Sequence, residues 1–244
     1  MKENIYTIPI NEAFDTDCEC PICEFVKSEE LKRVEYSLGA SMMEPDERIT
    51  SNEMGYCQRH TQMMYKHGNK LSHALVLETR IKYLTDEISK MEQMLSRVKP
   101  SGILGKFKKQ DLSLTAEYKS LTFTAKSCVI CKRLDDITNA FISNLFHMYK
   151  NDEKFRDKFF TSKGFCIDHF DLLMNKSQEH LGAEESVNFL SKLCKHQREH
   201  LERVMEDVNW FTKKFDYRYK DAEWKNSKDA VQRGCLKISG YIDE

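Results

Sequence analysis

The stretch GYCQRH at residues 55–60 returns as GFCIDH at residues 164–169, and the fold prediction rests on this repeat. Each of these CxxH motifs follows a CxxC motif by about 35 residues: CPIC at 20–23 and CVIC at 128–131. The two CxxC motifs lie 108 residues apart, and the two CxxH motifs lie 109 residues apart. The sequence therefore predicts an internal duplication, with one insertion or deletion in the loop between the motifs. The glycine that opens each GxCxxH stretch suggests a tight turn or a positive φ just before a helix.

The duplicated motifs carry the ligand types that zinc prefers. Zinc is usually held by four Cys or His ligands in a tetrahedron. Two intervening residues let paired ligands reach one ion, because positions i and i+3 share a helix face. We therefore expect one Cys3His zinc site in each copy, and so two zinc ions per chain. The expected ligands are Cys20, Cys23, Cys57 and His60 in the first copy, and Cys128, Cys131, Cys166 and His169 in the second.

Four protein ligands indicate closed structural sites rather than catalytic ones. An iron–sulfur cluster is the alternative for a Cys3His set. CPIC also matches the CPxC motif of thiol–disulfide oxidoreductases, but that interpretation needs a preceding strand and leaves Cys57 and His60 unexplained. HQREH at 196–200 fits the HxxEH motif of inverted zinc proteases, yet only 44 residues remain to supply a third ligand. We expect two histidines without a metal there.

Each copy ends in a segment with apolar residues in heptad spacing. The first series is Leu77, Ile81, Leu84, Ile88, Met91, Leu95 and Val98, and the second is Val187, Leu190, Cys194, Gln197, Leu201, Val204, Val208, Phe211 and Phe215. Such series are typical of helices that pack on other helices, and they place Cys194 in a core. With four prolines and no strand-like alternation, the sequence predicts an all-α fold: an elongated helical bundle of two tandem pseudo-repeats, each with a Cys3His metal site and a long heptad-patterned helix.

The duplication also predicts the domain organisation. Residues 1–98 form the first repeat, 99–111 a linker or hairpin tip, 112–215 the second repeat, and 216–244 a C-terminal tail. The segment KPSGILGKFKK at 99–109 is typical of a solvated linker, and a basic-apolar contact loop for a partner or an anionic lipid surface is the alternative. Tyr217, Tyr219 and Trp224 in the tail are either anchors for a partner or residues that pack on the bundle.

Charge and hydropathy exclude several function classes. The net charge of −1 gives no strong nucleic-acid signal, and no apolar run is long enough for a transmembrane segment. The N-terminus lacks the apolar region of a signal peptide, so we expect a cytoplasmic location. In that reducing compartment nine cysteines indicate metal ligands, thiols or core residues rather than disulfides. GxSxG, P-loop and GxGxxG motifs are absent from the sequence.

Several segments together resemble a bacterial protein family classed as a domain of unknown function: YTIPINEAF, CPIC, MEPDERITSNEMGYCQRH, CVIC, GFCIDH and KFDYRYKDAEWKNSKDAVQR. The resemblance covers almost the whole chain and includes the eight expected ligands. The tail departs from it at Lys225-Asn226, where the family pattern has a glycine after the tryptophan. The resemblance implies a bacterial cytoplasmic protein and assigns no reaction, substrate or partner.

The function that these observations favour is a non-enzymatic, zinc-stabilised helical binding or adaptor protein with an unidentified protein partner. Dimerisation through the heptad helices is a further expectation of this model. The alternative is a thiol/metal redox enzyme or sensor that uses an iron–sulfur cluster or a reactive zinc–thiolate site.

Overall fold

The computed structural model of the protein describes residues 5–97, 113 and 115–240. Within these residues the chain forms no strand and eleven α-helices: α1 (Ile8–Asp15), α2 (Pro21–Ser37), α3 (Pro45–Met54), α4 (Gln58–Lys66), α5 (Lys70–Arg97), α6 (Ala116–Lys126), α7 (Val129–Asn151), α8 (Glu153–Phe159), α9 (Ile167–His180), α10 (Ala183–Lys213) and α11 (Ala230–Ser239). The predicted all-α class is confirmed. None of these helices is long and apolar enough to cross a membrane.

The chain divides into two compact units. Unit 1 comprises Met1–Ser28 and Ile137–Glu244, and unit 2 comprises Glu29–Asp136. Each unit therefore contains residues from both copies of the duplicated sequence. The predicted linker at 99–111, with its basic stretch at 99–109, lies outside the part of the chain that the structure describes.

The core of unit 1 is built around phenylalanine rings. Phe14 of α1, Phe159 of α8 and Phe165 have ring centroids 5.2–6.4 Å apart. Phe159 and Phe165 are completely buried, and full burial of such a side chain stabilises the fold by about 2–3 kcal/mol. Because Phe165 directly precedes Cys166, this packing also fixes where α9 and its CxxH motif begin.

Expected ligands also belong to the core of unit 2. Cys128 packs in a buried cluster, with Cys57 and Cys131 at its edge and these aliphatic side chains around it: Val34, Leu38, Met64, Val76, Val129, Ile130 and Leu134. Packing between α2, α4, α5 and α7 in this unit therefore brings two ligand-bearing segments to one place.

The heptad residues of α5 do not face the core of unit 2. This long helix packs on three shorter helices, namely α3, α4 and α6. The residues that it buries are Ser72, His73, Val76 and Glu87, however, whereas Ile81 and Ile88 are 60% and 58% exposed. Of the heptad series within the described residues, Leu77, Ile81, Ile88 and Leu95 are exposed, and Leu84 and Met91 are half-buried.

The heptad residues of α10 are divided between core and surface. This helix packs on α9 and α11; the members of the predicted series that it buries are Gln197 and Val204, while the buried Phe189 and Leu193 lie outside the series. Val187 is 66% exposed, and Cys194 is exposed as well. The expectation that Cys194 is a core residue is therefore wrong, because the neighbouring position Leu193 points into the core instead.

The aromatic residues of the C-terminal tail differ in their contacts. Trp224 packs against Phe211 of α10, with ring centroids 5.9 Å apart, while Tyr217 is 87% exposed. Lys225 has a φ of 51°, in the left-handed region that favours glycine. This backbone conformation explains why a glycine suits this position in the family pattern that the tail resembles. The Lys225 ammonium lies 4.1 Å from the ring centre of Trp210, a favourable cation–π contact.

Candidate metal centres

The four ligand pairs share one local design. Each begins with a cysteine whose carbonyl oxygen accepts a helix hydrogen bond, 2.8–3.2 Å long, from the residue four positions later: Cys20 before α2, Cys57 before α4, Cys128 before α7 and Cys166 before α9. The N-terminal end of a helix carries a partial positive charge, which favours thiolate. The helix predicted at each GxCxxH stretch is confirmed, and each CxxC pair also lies at the beginning of a helix.

A glycine with positive φ precedes each CxxH motif. Gly55 has φ 70° and Gly164 has φ 84°. The cysteines two residues later have nearly identical backbone angles, φ −71° with ψ 168° for Cys57 and ψ 164° for Cys166. The predicted positive φ is confirmed, and the two copies of this turn have kept the same conformation at the cysteine.

The ligand pairs combine crosswise between the two copies. Site A consists of Cys20, Cys23, Cys166 and His169, and site B consists of Cys57, His60, Cys128 and Cys131. Within each site, the candidate ligand atoms all lie within 4.8 Å of one another. Each site thus joins the CxxC of one copy to the CxxH of the other. The eight predicted residues do come together in two groups of four, but the pairing within each copy is wrong.

Helix length explains why the pairs combine crosswise. Helices α2 and α7 have 17 and 23 residues, which corresponds to about 25 and 35 Å at 1.5 Å per residue. Each of these helices starts at a CxxC motif and carries the chain away from it before the CxxH of the same copy is reached. Each CxxC therefore meets the CxxH of the other copy, which belongs to the same compact unit.

The interatomic distances fit one tetrahedral ion in each site. In site A, the Nδ1 of His169 lies 3.2–3.4 Å from the three sulfurs, and the Sγ atoms of Cys23 and Cys166 are 3.5 Å apart. In site B, the Nδ1 of His60 lies 3.2–3.4 Å from its three sulfurs, and the Sγ atoms of Cys57 and Cys131 are 3.8 Å apart. Zinc with ordinary bond lengths places S and N ligands about 3.5 Å apart and two sulfurs about 3.8 Å apart.

Contacts among the ligands favour one thiolate in each site. In site A, hydrogen bonds with Cys20 and Cys23 lower the pKa of Cys166 well below its usual range. In site B, burial opposes ionisation of Cys128, but the hydrogen bond with His60, backbone hydrogen bonds at Cys131 and Cys57 and the charge of His60 together outweigh burial and lower the pKa to about 6. Since thiolate is the form that binds metal, both groups are chemically suited to a cation.

A buried carboxylate orients the imidazole of site B. The Oε1 of Glu30 lies 2.9 Å from the Nε2 of His60, on the ring edge opposite the sulfurs. Arg59 donates two hydrogen bonds, 2.9 and 2.8 Å, to the same carboxylate. Burial disfavours the charged form of Glu30, but these bonds with His60 and Arg59 hold the pKa down to about 2. The carboxylate thus fixes Nδ1 as the ligand atom, a common arrangement at metal-bound histidines.

Site A is supported by residues that the sequence analysis did not single out. Gln197 of α10 pairs with the backbone of Phe165: the Phe165 N–H donates to Oε1 at 2.9 Å, and Nε2 donates to the Phe165 carbonyl at 2.8 Å. Lys237 of α11 and Arg203 of α10 both form ion pairs with the buried carboxylate of Glu19. A glutamine within an apolar heptad series was the one signal in the sequence for this role.

The HxxEH histidines lie in cationic surroundings. The rings of His196 and His200 have centroids 4.6 Å apart, and the Nδ1 of His200 accepts a hydrogen bond from Arg203. Burial lowers the pKa of His200 to about 4, with His196, Arg203 and Lys237 acting in the same direction. Positive neighbours that disfavour a protonated imidazole also disfavour a metal cation. These histidines are packing residues behind site A.

These features define an all-α protein with two Cys3His groups that could each hold a metal ion. The chain matches, over residues 1–244, the model of a family of unknown function (DUF6062), and it belongs to this family. The family resemblance noted from the motifs is therefore confirmed. No curated protein and no solved structure matches the chain.

Proposed function

We propose that the protein is a non-enzymatic, zinc-stabilised helical binding protein in which site A and site B each hold one structural zinc ion. The observation that carries this proposal is the set of four protein ligand atoms within 4.8 Å of one another in each site. Four protein ligands complete a tetrahedron and leave no position for a substrate, which is the arrangement of structural zinc. A reducing, cytoplasmic environment belongs to the proposal, because it keeps the thiols available.

The spacing of the ligand atoms supports a single ion over an iron–sulfur cluster. The S–N and S–S distances of 3.2–3.8 Å correspond to atoms bound to one centre. A cluster contains several irons, so its protein ligands bind different metal atoms and lie further apart. Cysteine and histidine in a tetrahedral arrangement favour zinc among the common divalent ions.

A zinc ion in either site would close a long loop of the chain. Cys20 and His169 are 149 residues apart in sequence, and Cys57 and Cys131 are 74 residues apart. Because such loops are costly in entropy to close, the free energy of metal binding contributes directly to folding. Structural zinc would thus be a condition for the stability of both units.

Elemental analysis of purified protein tests this proposal. We expect two zinc ions per chain, and we expect chelation to lower both the helix content and the midpoint of thermal unfolding. Purified protein that contains iron and absorbs at about 400 nm would contradict zinc as the metal. Protein that holds no metal and keeps its full thermal stability would contradict the metal sites altogether.

The exposed heptad face of α5 supports the binding role. Leu77, Ile81, Ile88 and Leu95 on this face are 40–60% exposed. The series has Ile81 and Ile88 at one heptad position and Leu77 and Leu84 at the other, a combination that suits two-stranded parallel coiled coils. We propose that this face binds the heptad face of a second amphipathic helix, and that α5 of a second copy is the partner to test first.

Sedimentation equilibrium tests self-association through α5. We expect a dimer for the wild type and a monomer for the double variant Ile81→Glu and Ile88→Glu. Val187→Glu is the matched control, because it places the same charge at an exposed apolar position of α10, and it should remain dimeric. A monomeric wild type at high concentration would exclude a second copy as the partner.

One observation favours a thiol redox sensor as a second candidate function. Cys57 and Cys131 of site B are only half-buried, and their sulfurs are 3.8 Å apart. Hydrogen peroxide would take two electrons from these thiolates, forming a disulfide and, with two protons, two molecules of water, and the zinc ion would be released. Peptide mapping of a Cys57–Cys131 disulfide at peroxide concentrations that leave the metal in site A would support this function; equal resistance of both sites would contradict it.

A further inference from the structure

Lys237 is a buried cation that no role in packing explains. It lies on α11, which packs against α9 and α10, and only 1% of its surface is exposed. Burying an ammonium group costs several kcal/mol unless hydrogen bonds and charge partners offset the loss of water. A methionine would fill similar space without this cost, so the charge and the donors of Lys237 require an explanation.

The ammonium group of Lys237 joins the two loops that lead into site A. It donates to the carbonyl oxygen of Glu19 at 2.6 Å and to that of Lys163 at 2.5 Å. Glu19 directly precedes Cys20, and Lys163 directly precedes the turn Gly164-Phe165 that leads to Cys166. The third contact is the Glu19 carboxylate, 3.2 Å away. All three donors of the ammonium are therefore directed at the segments that present the ligands.

The end of α11 also reaches the sulfurs of site A. Gly240 caps this helix with φ 73°, and a Cβ atom added there would lie 3.8 Å from the Sγ atoms of both Cys23 and Cys166. Helix α11 is absent from the duplicated motifs, so it adds to site A a support that the repeat itself does not encode.

Site B contains a comparable cation from a different part of the chain. Arg80 of α5 donates to the carbonyl oxygens of Asn52 and, at 2.9 Å, of Thr124. These carbonyls belong to the segments that lead into Cys57 and Cys128. The two CxxH motifs are 109 residues apart, so the residue of the second copy that corresponds to Arg80 is Phe189. Lys237 is therefore not the duplicated counterpart of Arg80. Two unrelated cations thus bridge the approach segments of two related sites.

We propose that Lys237 is a positioning residue of site A: it holds the two ligand-bearing loops at the distance that one ion requires and places a positive charge beside the thiolates. This inference rests on the proposed function, since it concerns how tightly site A holds zinc. It follows that site A is complete only when α11 is packed, whereas site B does not depend on α11.

Zinc release to a chromogenic chelator tests the role of Lys237. The wild type should release two zinc ions in two kinetic phases, which Cys166→Ser and Cys57→Ser assign by removing one phase each. In Lys237→Met, we expect the phase of site A to accelerate by about 10–100-fold, the usual effect of losing a partner of a metal ligand, and the phase of site B to stay unchanged. Arg80→Met should give the reverse pattern.

Three further measurements separate this role from a general loss of stability. In cobalt-loaded Lys237→Met, about half of the thiolate-to-metal absorption should move to longer wavelength, because removing a nearby positive charge raises the energy of the sulfur electrons. Lys195→Met, at an exposed position of α10, should change neither phase. Lys237→Gln keeps a donor and serves as the second variant if methionine prevents folding, and it should show the same selective acceleration.

The outcomes distinguish this inference from the proposed function. A wild type without metal would overturn the proposed function and this inference with it. Two zinc ions in the wild type, with a site A phase and a cobalt spectrum that Lys237→Met and Lys237→Gln leave unchanged, would overturn the role of Lys237 alone. Equal acceleration of both phases would also overturn it, because the effect would then not belong to site A.

Discussion

Site A and site B have the same ligand types, three cysteines and one histidine, yet different ligands are accessible to solvent in the two sites. In site A the thiols are covered, with Cys20 4% and Cys166 1% exposed, while the imidazole of His169 is half-buried. In site B the imidazole of His60 is 2% exposed, and two thiols, Cys57 and Cys131, are half-buried. Solvent therefore meets a ring in one site and sulfur in the other.

The difference shows that duplication copied the ligands but not their supports. Glu30 holds the imidazole of site B, but the corresponding position in the second copy is Thr138. Glu19, which directly precedes Cys20, forms ion pairs with Arg203 and Lys237 beside site A. The corresponding residue before Cys128 is Ser127, whose hydroxyl donates to the carbonyl oxygen of Met54 at 2.8 Å. Two sites with one ancestral pattern have thus acquired different neighbours, and we expect them to differ in metal retention and reactivity.

The largest expected effect tests the crosswise pairing itself. The double variant Cys23→Ser and Cys166→Ser changes one site and should retain one zinc ion per chain. Cys23→Ser with Cys57→Ser changes ligands within a single sequence repeat and should retain none, because each substitution removes a ligand from a different site. Elemental analysis of the two proteins gives the answer. The opposite result, one ion for the second protein and none for the first, would restore pairing within each copy.

The next effect concerns the carboxylate behind His60. We expect Glu30→Gln to weaken zinc binding at site B by about 10–100-fold while site A is unchanged, because the imidazole loses its charged partner. Competition with a chelator of known affinity measures both constants. Glu35→Gln, at an exposed position of the same helix, is the control and should alter neither. A weakened site A would show that Glu30 acts on the fold in general.

Thiol alkylation should show the exposure difference directly. In zinc-loaded protein we expect iodoacetamide to modify Cys57 and Cys131 on the order of tenfold faster than Cys20 and Cys166, because access to sulfur limits the reaction. Peptide mass spectrometry at successive times measures each rate, and the exposed Cys194 serves as the reference for a free thiol. Equal rates in both sites would mean that metal binding, rather than burial, controls access.

The smallest effect is an acid sensitivity expected in unit 1. Burial holds the pKa of His200 at about 4, below the value of about 6.5 in an unfolded chain. As the pH falls from 6.5 to 4, the unfolded chain therefore binds a proton that the folded chain does not, and stability is lost. His200→Gln should reduce this loss by about 1–2 kcal/mol, allowing for solvent screening at a half-buried ring.

Urea unfolding of the His200→Gln variant and of the wild type at each pH measures this effect. Any metal released in acid would be lost from both proteins, so that contribution cancels in the comparison. An unchanged difference between the two proteins from pH 7 to pH 4 would contradict the lowered pKa.

Features that depend on neighbouring residues could be predicted from the sequence. The ligand types follow from the CxxC and CxxH motifs, the helix starts follow from the same spacing, and the positive φ of Gly55 and Gly164 follows from glycine itself. The all-α class follows from composition and periodicity. Each of these inferences uses a few adjacent residues, where the physical constraints on the backbone are strong.

Features that depend on distant residues could not be predicted in the same way. The pairing of ligands depends on α2 and α7 running without a break for 17 and 23 residues, and motif spacing alone allows either pairing. Lys237 looks like any surface lysine on an amphipathic helix, because only the tertiary fold places the carbonyls of Glu19 and Lys163 around it. The face of α5 that packs is likewise chosen by α3 and α6 rather than by its own heptads.

The division of the chain into units has a consequence for synthesis on the ribosome. Unit 2 is continuous, so all ligands of site B are available once Cys131 has emerged, and this half can fold early. Cys20 and Cys23 must wait for a partner 143 residues further on, a delay of about 7–30 s at ordinary translation rates. During that interval two thiols of the nascent chain have no native metal site, and a thiol-protecting factor or an excess of reductant should raise the yield of protein with site A correctly filled.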